Sequence, residues 1–157
     1  MTPAFAPRIL IVEDEQCIRD VLVELFDVTG SSVLSAESVD RAKALLARYT
    51  FDLIVTDIRL GGRRDGGLQV MAAAGVLSPE AVVIVLTAYP DEDNRLAAIR
   101  LGATHFLEKP ISLEAIAEVA GLAAVPTALT PNAQRVAHLS PARGMATVSK
   151  VSMQVES

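Results

Sequence analysis

Four apolar stretches of this chain each run into a side chain able to do chemistry. Ile9-Leu-Ile-Val12 leads into Glu13 and Asp14, and Phe51-Asp-Leu-Ile-Val-Thr-Asp57 ends in a carboxylate ahead of a loop rich in Gly and Arg. Ala81-Val-Val-Ile-Val-Leu86 leads into the Thr87 hydroxyl, and His105-Phe-Leu107 passes through Glu108 to Lys109-Pro110. Taken singly, each has a plain explanation: acids and hydroxyls after strands form turns, cap helices or bond nearby backbone. Jointly they say more. If the four stretches are parallel strands, their carboxyl ends share one sheet edge, which is where open parallel sheets bind ligands.

The chemistry of such an edge follows from its donor set. Glu13, Asp14 and Asp57 would form a self-repelling carboxylate cluster, relieved by protonating a member or by holding a cation. All the donors are oxygen, with no His or Cys beside them in sequence, so a hard ion such as Mg²⁺ or Mn²⁺ fits and zinc does not. Lys109 adds a point charge and Thr87 a hydroxyl that can donate to an anionic oxygen. Metal, ammonium and hydroxyl around a carboxylate are the parts phosphoryl transfer needs, since positioning and charge neutralisation do most of that catalysis. The carboxylate can itself accept the phosphoryl group, giving an acyl phosphate.

The elements that must position these groups alternate. Strands are expected at Ile9–Val12, Ser32–Ala36, Leu53–Thr56, Val82–Leu86 and His105–Leu107, the apolar runs reading as strands buried on both faces. Between them, Ile18, Val21, Leu22, Leu25 and Phe26 follow helical spacing from Glu15 to Val28, with Gly30 as a stop. Ser38 caps a helix whose inner face is Val39, Ala42, Leu45, Leu46 and Tyr49. After Asp57 comes the loop Gly61-Gly-Arg-Arg-Asp-Gly-Gly67, read as flexible, then a short helix ending near Gly75. Ser78-Pro79 turns the chain into strand four. A helix over Asp91–Gly102 has acids in its first turn and glycine at its end, and Ser112 caps a last helix from Leu113 to about Ala124. Five strands alternating with five helices imply right-handed crossovers, a parallel sheet and a three-layer α/β sandwich.

The 157 residues allow one domain with a good core, and half of them are hydrophobic. Residues 125–157 hold Arg135, Arg143, Lys150 and Glu156, a net of +2; the total of −5 therefore leaves −7 on residues 1–124. An acidic domain is a poor direct nucleic-acid binder. Cys17 is the single cysteine, which excludes an internal disulfide and suits a reducing compartment; it is expected to be buried or half-buried in its helix. The N-terminus lacks the basic and apolar regions of a signal peptide, and no apolar run is long enough to span a bilayer, so a cytoplasmic protein without membrane contact is expected. Beyond Ala124 prolines interrupt short polar segments, too few for a second domain, and a flexible or partly ordered tail is expected over 125–157.

Ile11-Val-Glu-Asp-Glu15, the strand-end Asp57, Leu86-Thr-Ala-Tyr89 and Leu107-Glu-Lys-Pro110, in this order and spacing, resemble the receiver domain (CheY-like) of two-component response regulators. The resemblance covers roughly residues 7–124, with 1–6 as an N-terminal extension, and the chain reads as a stand-alone receiver without an output domain. It implies a flavodoxin-like fold with strand order 2-1-3-4-5. It implies that Asp57 takes a phosphoryl group from a histidine kinase or phosphotransfer protein, with Mg²⁺ (or Mn²⁺) held by Glu13, Asp14, Asp57 and the backbone carbonyl of Arg59. Lys109 and Thr87 would contact the phosphoryl oxygens, Thr87 and Phe106 would form the conformational switch, and the Lys109–Pro110 bond would be cis. The surface reshaped would be the last helix–strand–helix face, serving a downstream protein target or a homodimer. Two departures stand out: Gly61 occupies a position, four after Asp57, where the family often has proline, and the loop that follows is slightly long.

A second class, a Mg²⁺-dependent phosphohydrolase with an aspartyl nucleophile, shares the same parts. Such enzymes commonly carry a second acid two residues after the first, and that position here is Arg59. A nucleotide-binding module would need G-x-G-x-x-G after the first strand, which is absent.

Overall fold

A computed structural model of the chain describes residues 6–89 and 91–129; nearly all of the expected N-terminal extension and the tail beyond Leu129 lie outside the described residues. Strands β1 (Arg8–Val12), β2 (Ser32–Ala36), β3 (Leu53–Asp57), β4 (Val82–Thr87) and β5 (His105–Glu108) alternate with helices α1 (Gln16–Phe26), α2 (Val39–Arg48), α3 (Gly66–Leu77), α4 (Glu92–Arg100) and α5 (Leu113–Leu122). The strands form one parallel sheet in the order β2-β1-β3-β4-β5. The order doubles back at β1, and β1 and β3 are neighbours, so Glu13, Asp14 and Asp57 leave the sheet side by side.

The pleat sorts the core into two layers. Ile9, Ile11, Leu53, Val55, Ile84 and Leu86 face α1 and α5, packing on Leu22, Leu25, Phe26, Ile116 and Val119. Leu10, Val12, Ile54, Val83 and Val85 face the other way, onto α2, α3 and α4 through Leu45, Leu46, Val70, Met71, Ala74 and Ala98. This is why β1, β3 and β4 read as unbroken apolar runs: both of their faces are covered.

Caps follow the sequence closely. Ser38 accepts a hydrogen bond from the Arg41 N–H and Ser112 from the Ala115 N–H, starting α2 and α5. Asp91 accepts from Asp93 N–H at the start of α4. Three features differ from expectation. First, α3 starts inside the glycine loop, at Gly66, and runs through Gly75 to Leu77. Nothing crowds Gly75; the helix stops at Ser78, whose φ of −138° and ψ of 64° are those of a residue pushed out of the helical region by Pro79. Second, Cys17 is exposed, not buried, because it lies on the outer side of α1, away from Leu22, Leu25 and Phe26. Third, packing continues past 124. Val125 and Thr127 are buried, Leu129 packs against the α1–α5 layer, and the Ala128 N–H donates to the Leu25 carbonyl at 2.7 Å. The Lys109–Pro110 peptide is cis, as the resemblance implied. Among the described residues no helix is long and apolar enough to cross a membrane.

Candidate functional site

Glu13 and Asp14 follow β1 directly, Asp57 and Thr87 are the last residues of β3 and β4, and Lys109 comes just after β5. All four strand ends meet at one cavity of about 670 Å³, lined by Asp14, Asp57, Thr87 and Lys109 with Arg59, Arg64, Tyr89 and Asn94 at its margin. Glu13, Asp14 and Asp57 each offer a carboxylate oxygen, and these oxygens lie within 4.8 Å of one another. Lys109 Nζ donates to Glu13 Oε1 at 2.8 Å and to Asp57 Oδ2 at 2.9 Å. Residues 96 and 52 positions apart are thus joined by one ammonium.

The electrostatics follow from burial. Glu13 is fully buried and Asp57 nearly so, while Asp14 is exposed. Burial pushes the Glu13 carboxyl above its ordinary value, against the hydrogen bonds from Lys109 and from the Glu15 N–H, which pull it down; the Asp57 charge adds to the upward push. Burial also disfavours the Lys109 ammonium. The two carboxylates bonded to it outweigh that penalty, so its pKa stands above the ordinary lysine value. With all groups ionised, three carboxylates and one ammonium leave two negative charges uncompensated. A hard divalent cation is the ligand this donor set fits, by charge and by its all-oxygen character.

The neighbouring contacts hold these groups in place. Glu13 Oε2 accepts from the Glu15 N–H at 3.1 Å, and Asp57 Oδ1 accepts from the Arg59 N–H at 3.2 Å. Thr87 Oγ1 accepts from the Tyr89 N–H at 3.1 Å. The Arg59 guanidinium stacks 4.6 Å over the Tyr89 ring at the cavity rim. Phe106 is half-buried on β5 and packs against the α2–α4 layer, beside Val85 in the β4–β5 register.

Sequence reasoning missed three supports. Arg19 on α1 donates to the carbonyls of Glu13 at 2.9 Å and Asp14 at 3.3 Å. The Gly61 N–H donates to Asp14 Oδ2 at 3.0 Å. Gly67 packs against the end of β3: its N–H donates to the Ile58 carbonyl at 2.7 Å. A Cβ there would overlap the Asp57 carbonyl oxygen and lie 2.6 Å from the Ile58 Cα. The double glycine at the start of α3 was the available signal for close approach, although in sequence it reads equally as a flexible loop.

The response regulator receiver domain family matches residues 9–120, and this chain belongs to that family. The chain is 40% identical over 105 residues to the alginate biosynthesis transcriptional regulatory protein AlgB of Pseudomonas aeruginosa, covering 67% of this chain and 23% of that protein. It is 37% identical over 117 residues to the response regulator protein PilR of the same species, covering 74% and 26%. The chain therefore spans about a quarter of the length of these relatives. Among solved structures it resembles a response regulator from Burkholderia pseudomallei with a phosphorylated aspartic acid, calcium ion and citrate, at 30% identity and TM-score 0.65, covering 74% of this chain and 66% of that one. It also resembles a CheY-like receiver domain protein from Methanospirillum hungatei JF-1, at 25% identity and TM-score 0.69, covering 75% and 93%.

Proposed function

We propose that this chain is a two-component phosphoacceptor: Asp57 takes a phosphoryl group from a histidine kinase or phosphotransfer protein and the resulting acyl phosphate reshapes a protein-binding face. The observation that carries this reading is the Lys109 ammonium bonded at once to Glu13 and Asp57, inside a cluster of three carboxylates. Glu13, Asp14, Asp57 and the Arg59 carbonyl would hold Mg²⁺ (or Mn²⁺), which supplies charge neutralisation and orientation of the phosphoryl oxygens when bound.

The chain's own residues account for the rest. An Asp57 carboxylate oxygen forms the new bond to phosphorus as the bond from phosphorus to the donor's imidazole nitrogen breaks. The imidazole leaves with the electron pair and takes its proton from water, so no base is needed at Asp57. Lys109 neutralises charge on the transferring group without leaving the site. Thr87 Oγ1, which accepts from the Tyr89 N–H in the unphosphorylated chain, turns its proton to the phosphoryl oxygen. Phe106, having no hydroxyl, then moves inward without losing a hydrogen bond. The outcome is read on the face of α4, β5 and α5, where Leu96, Ile99 and Leu101 are exposed and offer apolar contact to a target protein or a second copy. A cytoplasmic setting suits the reading.

The hydrolase alternative is disfavoured by Arg59, which stands where a second acid would be needed to protonate a leaving group. Beryllofluoride with Mg²⁺, followed by amide NMR, separates the two. A receiver shifts resonances at Thr87 and Phe106 and across α4–β5–α5, and turns over no external phosphoester. Sustained hydrolysis of p-nitrophenyl phosphate with no change at Phe106 would reverse the assignment.

A further inference from the structure

Asp14 differs from its partners in the cluster. Glu13 and Asp57 are buried and bonded to Lys109, whereas Asp14 is exposed and makes no ion pair with that ammonium. Its main chain is pinned by Arg19 through the Glu13 and Asp14 carbonyls. Its side chain is held from 47 residues away, by the Gly61 N–H at 3.0 Å from Oδ2.

The turn that delivers this N–H is a specific construction. Leu60 and Arg63 exchange hydrogen bonds in both directions, at 2.9 and 3.1 Å, closing a two-residue loop whose central residues have φ of +57° (Gly61) and +78° (Gly62). Positive φ at both positions defines a type I′ turn, which glycine adopts without steric cost. Proline, the residue frequent in the family four places after the acceptor, has no N–H and cannot take this φ.

We propose that the main-chain N–H of Gly61 is a positioning group for Asp14: it fixes one carboxylate oxygen so that the other faces Glu13 and Asp57 and serves the divalent cation. This rests on the metal-binding reading above. Carboxylates that ligate metals are themselves hydrogen-bonded, and the glycine turn supplies that bond from the backbone.

The test is a calorimetric Mg²⁺ titration of the full chain against Gly61→Pro, Gly61→Ala and Gly61→Asn, with thermal melts in EDTA. Gly61→Ala strains the turn but keeps the N–H, and a Cβ at that position meets nothing within 4 Å; asparagine tolerates positive φ. Gly61→Pro should weaken Mg²⁺ binding by about 10–100-fold, while Gly61→Ala and Gly61→Asn stay within roughly threefold. In the unaltered protein, amide exchange at Gly61 should be slow both with and without Mg²⁺, a readout that does not depend on any variant folding. Equal Mg²⁺ affinity in Gly61→Pro, an equal loss in Gly61→Ala, or unprotected exchange at Gly61 with the ion bound would each overturn the role given to this N–H. Failure of the unaltered chain to bind Mg²⁺ would instead overturn the reading beneath it.

Discussion

Lys109 and Glu13 make the sharpest residue-level predictions because each is buried against the other's charge. Replacing Lys109 with methionine leaves Glu13 and Asp57 facing one another with no cation between them. Chemical denaturation in EDTA should show a loss of about 3 kcal/mol, since removing one member of a buried pair strands the other; saturating Mg²⁺ should recover much of it. The pH dependence runs in a defined direction. Glu13 titrates above its ordinary value of 4.5, so between 4.5 and the raised value the folded chain holds a proton that the unfolded chain has released. Its contribution is full below 4.5 and is lost as pH rises through the raised value. Subtracting the EDTA stability curve of Glu13→Gln from that of the unaltered protein should leave a difference that falls with rising pH across that window. A difference that rises there would contradict the assigned shift. Lys109, also raised, contributes stability up to the ordinary lysine value of 10.5 and loses it above.

At the scale of elements, the glycines at the start of α3 matter more than their loop setting in the sequence suggests. Gly67→Ala drives a methyl group into the Asp57 carbonyl and the Ile58 main chain, and neither can move without shifting the end of β3. The expected cost is about 1–3 kcal/mol in denaturant unfolding, and tolerance of this change would contradict the close approach. The same element shows where sequence reading runs out. β1, β3 and β4 are legible because burial on both faces leaves apolar runs with a reactive residue at the end of each. α2 and α5 are legible because Ser38 and Ser112 sit at the cap positions. The start of α3 is not legible, because a Gly-Arg-Asp loop looks flexible until Gly67 is seen against β3. Nor is the Gly61–Asp14 bond legible, because an amide donor carries no side-chain signature.

For the whole molecule, the core extends beyond the five βα units. Residues 125–129 pack across the end of α1, with Val125 and Thr127 buried and Ala128 bonded to the Leu25 carbonyl. A chain ending at Ala124 should be less stable than one ending at Leu129 by about 2 kcal/mol or more, the value of burying a valine with part of a leucine; equal melting curves would show that this segment contributes nothing. Its packing was unreadable from local pattern because its partner surface, the end of α1, lies about 100 residues earlier in the chain and Pro126 interrupts it. The four-strand site was readable for the opposite reason: a parallel sheet brings strand ends together whatever their separation in sequence.

The proposed phosphotransfer turns on a carboxylate oxygen of Asp57 accepting the phosphorus. The direct measurement is intact-protein and peptide mass spectrometry after incubation with acetyl phosphate and Mg²⁺. The expected result is one alkali-labile phosphoryl group mapped to Asp57, absent in EDTA and absent in Asp57→Asn. A phosphoryl group that persists in Asp57→Asn, or none formed by a folded chain with Mg²⁺ present, would contradict it.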